Sequence, residues 1–164
     1  MKKAVYFLFA LLVSTSLMAQ KSPRKQAEGQ VAKVSIKVDY GSPFVKGRKI
    51  WGDLEAYGKV WRAGANENTT IEFSEDVKIK GESLAAGKYG FFIIPQENDD
   101  WVLIFNKKND AWGAYSYDAK DDALRVKVKP KFVSDNMESL TYAVERAGIT
   151  FGWADARLMI PVSK

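Results

Sequence analysis

The 164-residue sequence contains no cysteine and no histidine. The absence of cysteine excludes disulfide bonds, thiolate nucleophiles and cysteine-ligated metal centres. The absence of histidine excludes Ser-His-Asp triads and imidazole acid–base catalysis. There is also no Gly-x-Ser-x-Gly elbow and no glycine-rich phosphate loop ending in Gly-Lys-Ser/Thr. We therefore expect a protein without a cofactor or metal and favour a role that is not enzymatic, although a Ser-Lys or carboxylate-only catalyst stays compatible with the sequence.

The first 19 residues have the layout of a secretory signal peptide. Lys2 and Lys3 precede an unbroken apolar run, residues 4–13, and Ala19 is the small residue before a cleavage point. A transmembrane anchor needs ~20 apolar residues, and this run has about half that length. We therefore expect residues 1–19 to be removed, the mature chain to have no transmembrane segment, and the protein to be exported to the periplasm or the cell exterior.

The rest of the sequence divides into a flexible N-terminal arm, residues 20–30, and a single β-rich domain, residues 31–164. The arm is rich in basic residues, as is typical of a solvated terminus. The domain is too apolar for a disordered protein, since 46% of the chain is hydrophobic and 13% aromatic. An exported protein with a net charge of only +5 is not expected to bind nucleic acid.

Alternating apolar and polar residues predict short strands along this domain. Every second side chain is apolar over residues 32–40, which is the period of a strand with one buried face. Further strands are predicted at 69–73, 77–80, 89–95, 101–105, 124–128, 149–153 and 158–162, the last two joined by a hairpin at 154–155. About eight to ten short strands without a long helix predict an all-β fold, a single antiparallel β-sandwich for which a jelly-roll connectivity is one option.

Residues 137–147 are compatible with two structures. Met137, Leu140 and Val144 have the spacing of a helix, whereas Leu140, Tyr142 and Val144 alternate as in a strand. We favour the strand because aromatic and β-branched residues, which prefer strands, are concentrated there.

A long segment after the first predicted strand, residues 41–68, shows no alternation and is rich in Gly, Trp, Arg and Tyr. Irregular segments of this length are uncommon within a compact domain and are often functional. Tryptophan rings offer flat stacking surfaces and guanidinium groups offer fixed donors. With a second aromatic stretch near residue 112, the candidate ligand-binding residues are Arg48, Trp51, Trp61, Arg62, Asn66, Glu67, Trp112 and Tyr115.

Two interpretations of the first cluster stay open. In one, Arg62 and Asn66 bind a carboxylate, a phosphate or a sugar hydroxyl while Trp51 or Trp61 stacks on the ligand. In the other, which we favour for these residues, Arg62 pairs with Glu67 and the tryptophans lie in the core, because buried polar groups usually satisfy one another.

The aromatic stretch at 112–118 also has two interpretations. If exposed, Trp112 and Tyr115 form a stacking platform of the kind that sugars bind; if buried, they form the edge of the core. We give the core a small preference because aromatic side chains are mostly buried.

Four strings in this order resemble the secreted bacterial domain-of-unknown-function 2911 family: GRKIWG (47–52), VWRAGANE (60–67), AGKYGFFIIP (86–95) and WGAY (112–115), the last continued by LRV (124–126). The resemblance covers about residues 22–162. It implies a signal peptide followed by a β-rich domain, and it implies no activity and no cofactor. Tyr89 joins the eight candidate residues among the positions that match the family motifs.

The hypothesis that we place first is an exported, non-catalytic ligand-binding or cell-envelope-associated module. Its partner would be a carbohydrate or another small anionic or polar ligand, or an envelope protein. A carboxylate-dependent hydrolase acting on a glycan is one alternative, and it predicts two acidic side chains facing each other across an open cleft. A structural partner protein is another, and it predicts a large exposed apolar patch without a pocket.

Overall fold

Ten strands form the described part of the chain, residues 22–164, in the computed structural model. They are β1 (Arg24–Val31), β2 (Val34–Gly41), β3 (Thr70–Phe73), β4 (Val77–Ile79), β5 (Glu82–Leu84), β6 (Gly87–Ile94), β7 (Trp101–Asn106), β8 (Asp122–Val128), β9 (Lys131–Glu145) and β10 (Gly148–Ser163). A 3₁₀ helix, Ala119–Asp121, precedes β8. The signal peptide predicted for residues 1–19 lies outside the described residues.

The strands form two open antiparallel sheets. The larger sheet has the order β1-β2-β3-β6-β7-β8 and the smaller one the order β5-β4-β10-β9. The predicted all-β, antiparallel sandwich is thereby confirmed. Along the chain, β1 to β3 lie in the larger sheet, β4 and β5 in the smaller, β6 to β8 in the larger, and β9 and β10 in the smaller. The connectivity is therefore a meander that enters the smaller sheet twice, and it differs from a jelly roll. No helix within residues 22–164 has the length and apolar composition needed to cross a membrane.

The first strand was not predicted. Most of the segment expected to be a flexible arm, residues 20–30, belongs to β1, which pairs with β2 from Arg24 opposite Gly41 to Val31 opposite Val34. As an edge strand, β1 exposes or half-exposes nearly every side chain, so its residues need no strong apolar alternation. Its place in the sheet comes from the backbone ladder, which a hydropathy pattern does not reveal.

The strand that we favoured over the helix is confirmed for residues 137–145, which belong to β9, whereas residues 146–147 form the turn before β10. Leu140 and Tyr142 of β9 are buried, and Val144 is half-buried. The hairpin predicted at 154–155 is absent, because β10 runs on as one strand to Ser163. Ala154 has a φ of 49°, and the register with β9 shifts on both sides of it. Residues 154–155 therefore form a β-bulge within one strand and not the turn of a hairpin.

Large aromatic side chains fill the space between the sheets. Trp51 packs against Trp101 with a centroid distance of 4.6 Å and against Trp153 at 5.7 Å, and Trp61 is stacked on Trp153 at 5.6 Å. Phe151 of β10 contacts both Trp51 and Trp61. Because Trp51 and Trp61 come from the segment between β2 and β3, that segment is anchored in the core.

Candidate functional site

The segment between β2 and β3, residues 42–69 (the connecting loop), is the long irregular loop that the sequence predicted. It is attached to both sheets by backbone hydrogen bonds. Near its start, the N–H of Val45 donates to the carbonyl of Glu138 in β9 at 2.7 Å. Farther on, Trp61 and Ile93 of β6 exchange two bonds of 2.8 and 2.9 Å. The loop is therefore irregular in conformation but fixed in position.

The two tryptophans of the connecting loop lie in the core. Trp51 is 5% exposed and Trp61 is 3% exposed. The indole N–H of Trp61 donates to the carbonyl of Gly64 at 3.2 Å, which ties the core ring to the turn that follows it. These rings are placed as in the core interpretation, and a ligand has no free face of Trp61 on which to stack.

The turn after Trp61 is held by buried hydroxyl groups. Ala63 has a φ of 51°, so the chain reverses there in the left-handed region. The carbonyl of Ala63 accepts hydrogen bonds from Tyr142 Oη at 2.8 Å and from Thr69 Oγ1 at 3.1 Å. At the base of the turn, the N–H of Ala65 donates to the carbonyl of Gly41 at 3.2 Å. These bonds fix the backbone of the turn on which Arg62 lies.

The end of the connecting loop pairs with the segment that carries the second aromatic stretch. Asn66 accepts a hydrogen bond from the N–H of Gly113 at 3.0 Å, and Glu67 forms an isolated antiparallel bridge with Trp112. This pairing places Trp112, which is 61% exposed, and Tyr115, which is 92% exposed, beside the connecting loop. We call the surface formed by five of the candidate residues the aromatic patch: Arg62, Asn66, Glu67, Trp112 and Tyr115.

Gly113 lies between the aromatic and cationic parts of the patch. Its φ is 65°, and a Cβ added there would lie 3.2 Å from the ring of Tyr115 and 3.8 Å from Nη1 of Arg62. The absence of a side chain therefore allows the Tyr115 ring and the Arg62 guanidinium group to approach the same stretch of backbone.

Residues 22–162 match the family described as protein of unknown function, DUF2911. The chain belongs to the DUF2911 family. The resemblance stated from the four strings is thus confirmed, and the matched residues include both sheets, the connecting loop and the aromatic patch. No curated protein and no solved structure matches the chain.

The Arg62–Glu67 ion pair expected for an internal network is not among the ion pairs formed within residues 22–164 of this DUF2911 chain. Arg62 Nε is buried without a hydrogen-bond partner in that part of the chain. The internal network that we favoured for Arg62 is therefore not formed with Glu67, and among the described residues the Arg62 Nε is left without a partner.

Arg48 occupies a different position from the aromatic patch. Its Nε donates to the carbonyl of Val45 at 3.0 Å, and its Nη2 donates to the carbonyl of Phe44. Arg48 and Trp51 both line a cleft between the connecting loop and the β9–β10 hairpin. The eight candidate residues therefore separate into the aromatic patch, a cleft and the buried ring of Trp61.

Glu55 is a feature that the sequence analysis missed. Burial raises the pKa of its carboxyl group to about 7, and the nearby charges of Arg62 and Arg48 partly oppose this increase. The only sequence signal is an acidic residue between two arginines in a tryptophan-rich segment.

The acidic residues after the aromatic stretch are used internally. Tyr117 Oη donates to Asp122 Oδ2 at 2.8 Å, and Arg125 Nε donates to the same oxygen at 2.6 Å. Within residues 22–164, no group of three or more acidic side chains is arranged to hold a metal ion.

Proposed function

We propose that this DUF2911 chain is an exported, non-catalytic module that binds carbohydrate on the aromatic patch. The observation that carries the proposal is the exposure of Trp112 and Tyr115 on a loop that backbone hydrogen bonds hold in place. Aromatic rings gain by contact with apolar C–H surfaces, and the faces of sugar rings present such surfaces between their hydroxyl groups. Export is proposed from the leader-like residues 1–19.

The polar members of the patch supply the remaining chemistry. Arg62 is a donor, the exposed carboxylate of Glu67 is an acceptor, and the side-chain amide of Asn66 is both. Neighbouring sugar hydroxyls donate and accept hydrogen bonds together, so a mixed set of this kind suits them. The backbone of the patch is fixed in advance by the pairing of Asn66 with Gly113, which lowers the entropy that binding must overcome.

The hydrolase alternative requires two acidic side chains across an open cleft. Glu97 and Asp155 do line one cleft, the one that also contains Arg48. Both are exposed, however, whereas the general acid of a glycosidase is kept protonated by a desolvated environment. Glu55, whose pKa burial raises to about 7, does not line that cleft. These observations support binding ahead of hydrolysis.

The test is an NMR titration of the mature protein with soluble hexasaccharides of glucose, N-acetylglucosamine and xylose. The five tryptophans give five indole N–H signals, which Trp-to-Phe variants assign. We expect at least one sugar to shift the Trp112 signal, and Trp112→Ala to weaken that binding at least tenfold. Leu54→Ala is the matched control, because Leu54 is an exposed apolar side chain outside the patch.

Two results would overturn the proposal. One is the absence of any Trp112 shift with the whole sugar series. The other is an equal loss of affinity in the Trp112→Ala and Leu54→Ala variants, since that would show no contribution specific to the patch. Release of new reducing ends during incubation with the same sugars would refute the non-catalytic part.

A further inference from the structure

A cleft of about 540 Å³ lies between the connecting loop and the β9–β10 hairpin. Three aromatic side chains line it, Trp51, Tyr57 and Phe132, and Phe132 is 45% exposed. The volume falls within the range of ~300–1,000 Å³ that is usual for small-molecule sites. None of the five residues of the aromatic patch lines this cleft, so it is a separate feature of the surface.

One side of the cleft is acidic. Glu97 and Asp155 line the cleft together with Tyr57. Partial burial raises the pKa of Tyr57, and the charges of these two carboxylates raise it further. The Tyr57 ring lies close to Gly52, where an added Cβ would lie 2.6 Å from Cε2. Because Gly52 also has a φ of 81°, glycine suits both the backbone and the ring at this position.

The basic residues of the cleft are Arg48 and Lys49. Two bonds to backbone carbonyls hold the Arg48 guanidinium group at the rim. Two cationic and two anionic side chains line the cleft, so their formal charges cancel. This balance disfavours a strongly anionic or cationic ligand, while charged donors and acceptors remain available for hydrogen bonds.

Trp51 belongs both to the core and to the lining of the cleft. Its side chain is almost completely buried, yet its indole N–H has no hydrogen-bond partner within residues 22–164. Asn136, on the β9 side, contributes an amide that both donates and accepts. The lining therefore combines apolar ring surfaces with carboxylate, amide and guanidinium groups.

We propose that this cleft is a second binding site, which takes an uncharged oligosaccharide. The rings of Tyr57 and Phe132 contact the apolar faces of the sugar, the carboxylates of Glu97 and Asp155 accept bonds from hydroxyl groups, and Arg48 donates to ring or hydroxyl oxygens. The inference does not depend on the aromatic patch, because the two sites share no residue.

The experiment is the same indole-resolved NMR titration, read at the Trp51 signal. The probes are the neutral hexasaccharides of glucose, N-acetylglucosamine and xylose, together with an oligogalacturonate of similar length as the anionic arm. We expect a neutral sugar to shift the Trp51 signal and the oligogalacturonate to bind at least fivefold more weakly. A Trp51 signal that moves with none of the probes, or that moves more readily with the anionic one, would overturn the inference.

Variants separate this site from the aromatic patch. The Glu97→Gln/Asp155→Asn double variant keeps side-chain size, and we expect it to weaken binding at the Trp51 signal at least fivefold while leaving Trp112 shifts unchanged. Asp99→Asn is the matched control, because it removes an exposed carboxylate that does not line the cleft. Trp112→Ala should leave the Trp51 response intact. Loss of the Trp51 response in that variant, or equal effects of the double variant and Asp99→Asn, would refute a separate site.

Discussion

Replacing Glu55 with glutamine should stabilise the folded protein at pH 8 and leave its stability nearly unchanged at pH 4. Burial raises the pKa of Glu55 from 4.5 to about 7, against the smaller opposing effects of Arg62 and Arg48. A shift of this size corresponds to about 3 kcal/mol of destabilisation when the group is fully ionised. The value is an upper bound, since solvent reaches part of the side chain.

The direction of the pH dependence follows from proton binding. Between pH 4.5 and about 7 the folded state holds more protons at Glu55 than the unfolded state does, so stability falls as the pH rises through this interval. Below pH 4.5 the carboxyl group is protonated in both states and the penalty disappears. The sequence contains no histidine, so no imidazole titrates in the same window. The effect of Glu55 is therefore visible without a large background.

The measurement is urea unfolding followed by tryptophan fluorescence, on the wild type and on Glu55→Gln, in unit steps from pH 4 to pH 8. The difference in unfolding free energy should grow from near zero to a few kcal/mol in favour of the variant. Asp53→Asn, an exposed acid of the same loop, is the control and should show no such growth. A Glu55→Gln variant that is less stable than the wild type at pH 8 would refute the reasoning. In that case the attraction of the ionised carboxylate to Arg62 and Arg48 would exceed the free-energy cost of burying its charge.

Three further changes test how the connecting loop and the β10 bulge are held. Gly41→Ala would place a Cβ 2.0 Å from the carbonyl oxygen of Ala65, so we expect a loss of about 3 kcal/mol in urea unfolding; a loss below 0.5 kcal/mol would contradict this contact. Tyr142→Phe removes the 2.8 Å bond to the carbonyl of Ala63 and should lower stability by about 1 kcal/mol in the same assay, with no change expected if that bond is absent. Arg157→Met removes the side chain that donates to three backbone carbonyls at the bulge. We expect a loss of about 2 kcal/mol in the free energy of unfolding, with faster amide hydrogen exchange confined to β9 and β10. Unchanged exchange in these two strands would show that Arg157 does not stabilise the bulge.

The strands of the sandwich were predictable wherever one face is buried. β2 alternates between buried inward positions and more exposed outward ones, and this is the pattern by which residues 32–40 were assigned. β1 could not be found in the same way, because an edge strand contributes few buried side chains and is defined by its register with β2. The continuity of β10 was missed for a related reason, since the bulge at Ala154 resembles a turn in the sequence.

The candidate site was predictable as a set of residues but not as an arrangement. Trp61 and Trp112 both stand in glycine-containing irregular strings, and nothing local distinguishes a core ring from a surface ring. The difference arises from long-range pairing: Trp61 joins β6 through Ile93, whereas Trp112 joins the connecting loop through Glu67. Pairings between residues more than 30 positions apart in the chain have no signature in hydropathy.

The division between buried and exposed aromatic residues explains how an irregular loop can present a fixed surface. Trp51 and Trp61 insert into the core. The turn after Trp61 accepts hydrogen bonds from the Trp61 indole N–H and from the Tyr142 hydroxyl group. That turn leads directly to Asn66, whose carbonyl holds the backbone beside Trp112. The position of the exposed ring therefore depends on the packing of the core rings, and the free energy that orders the surface comes from burial elsewhere in the same loop. A surface built in this way needs neither a disulfide nor a metal to be rigid.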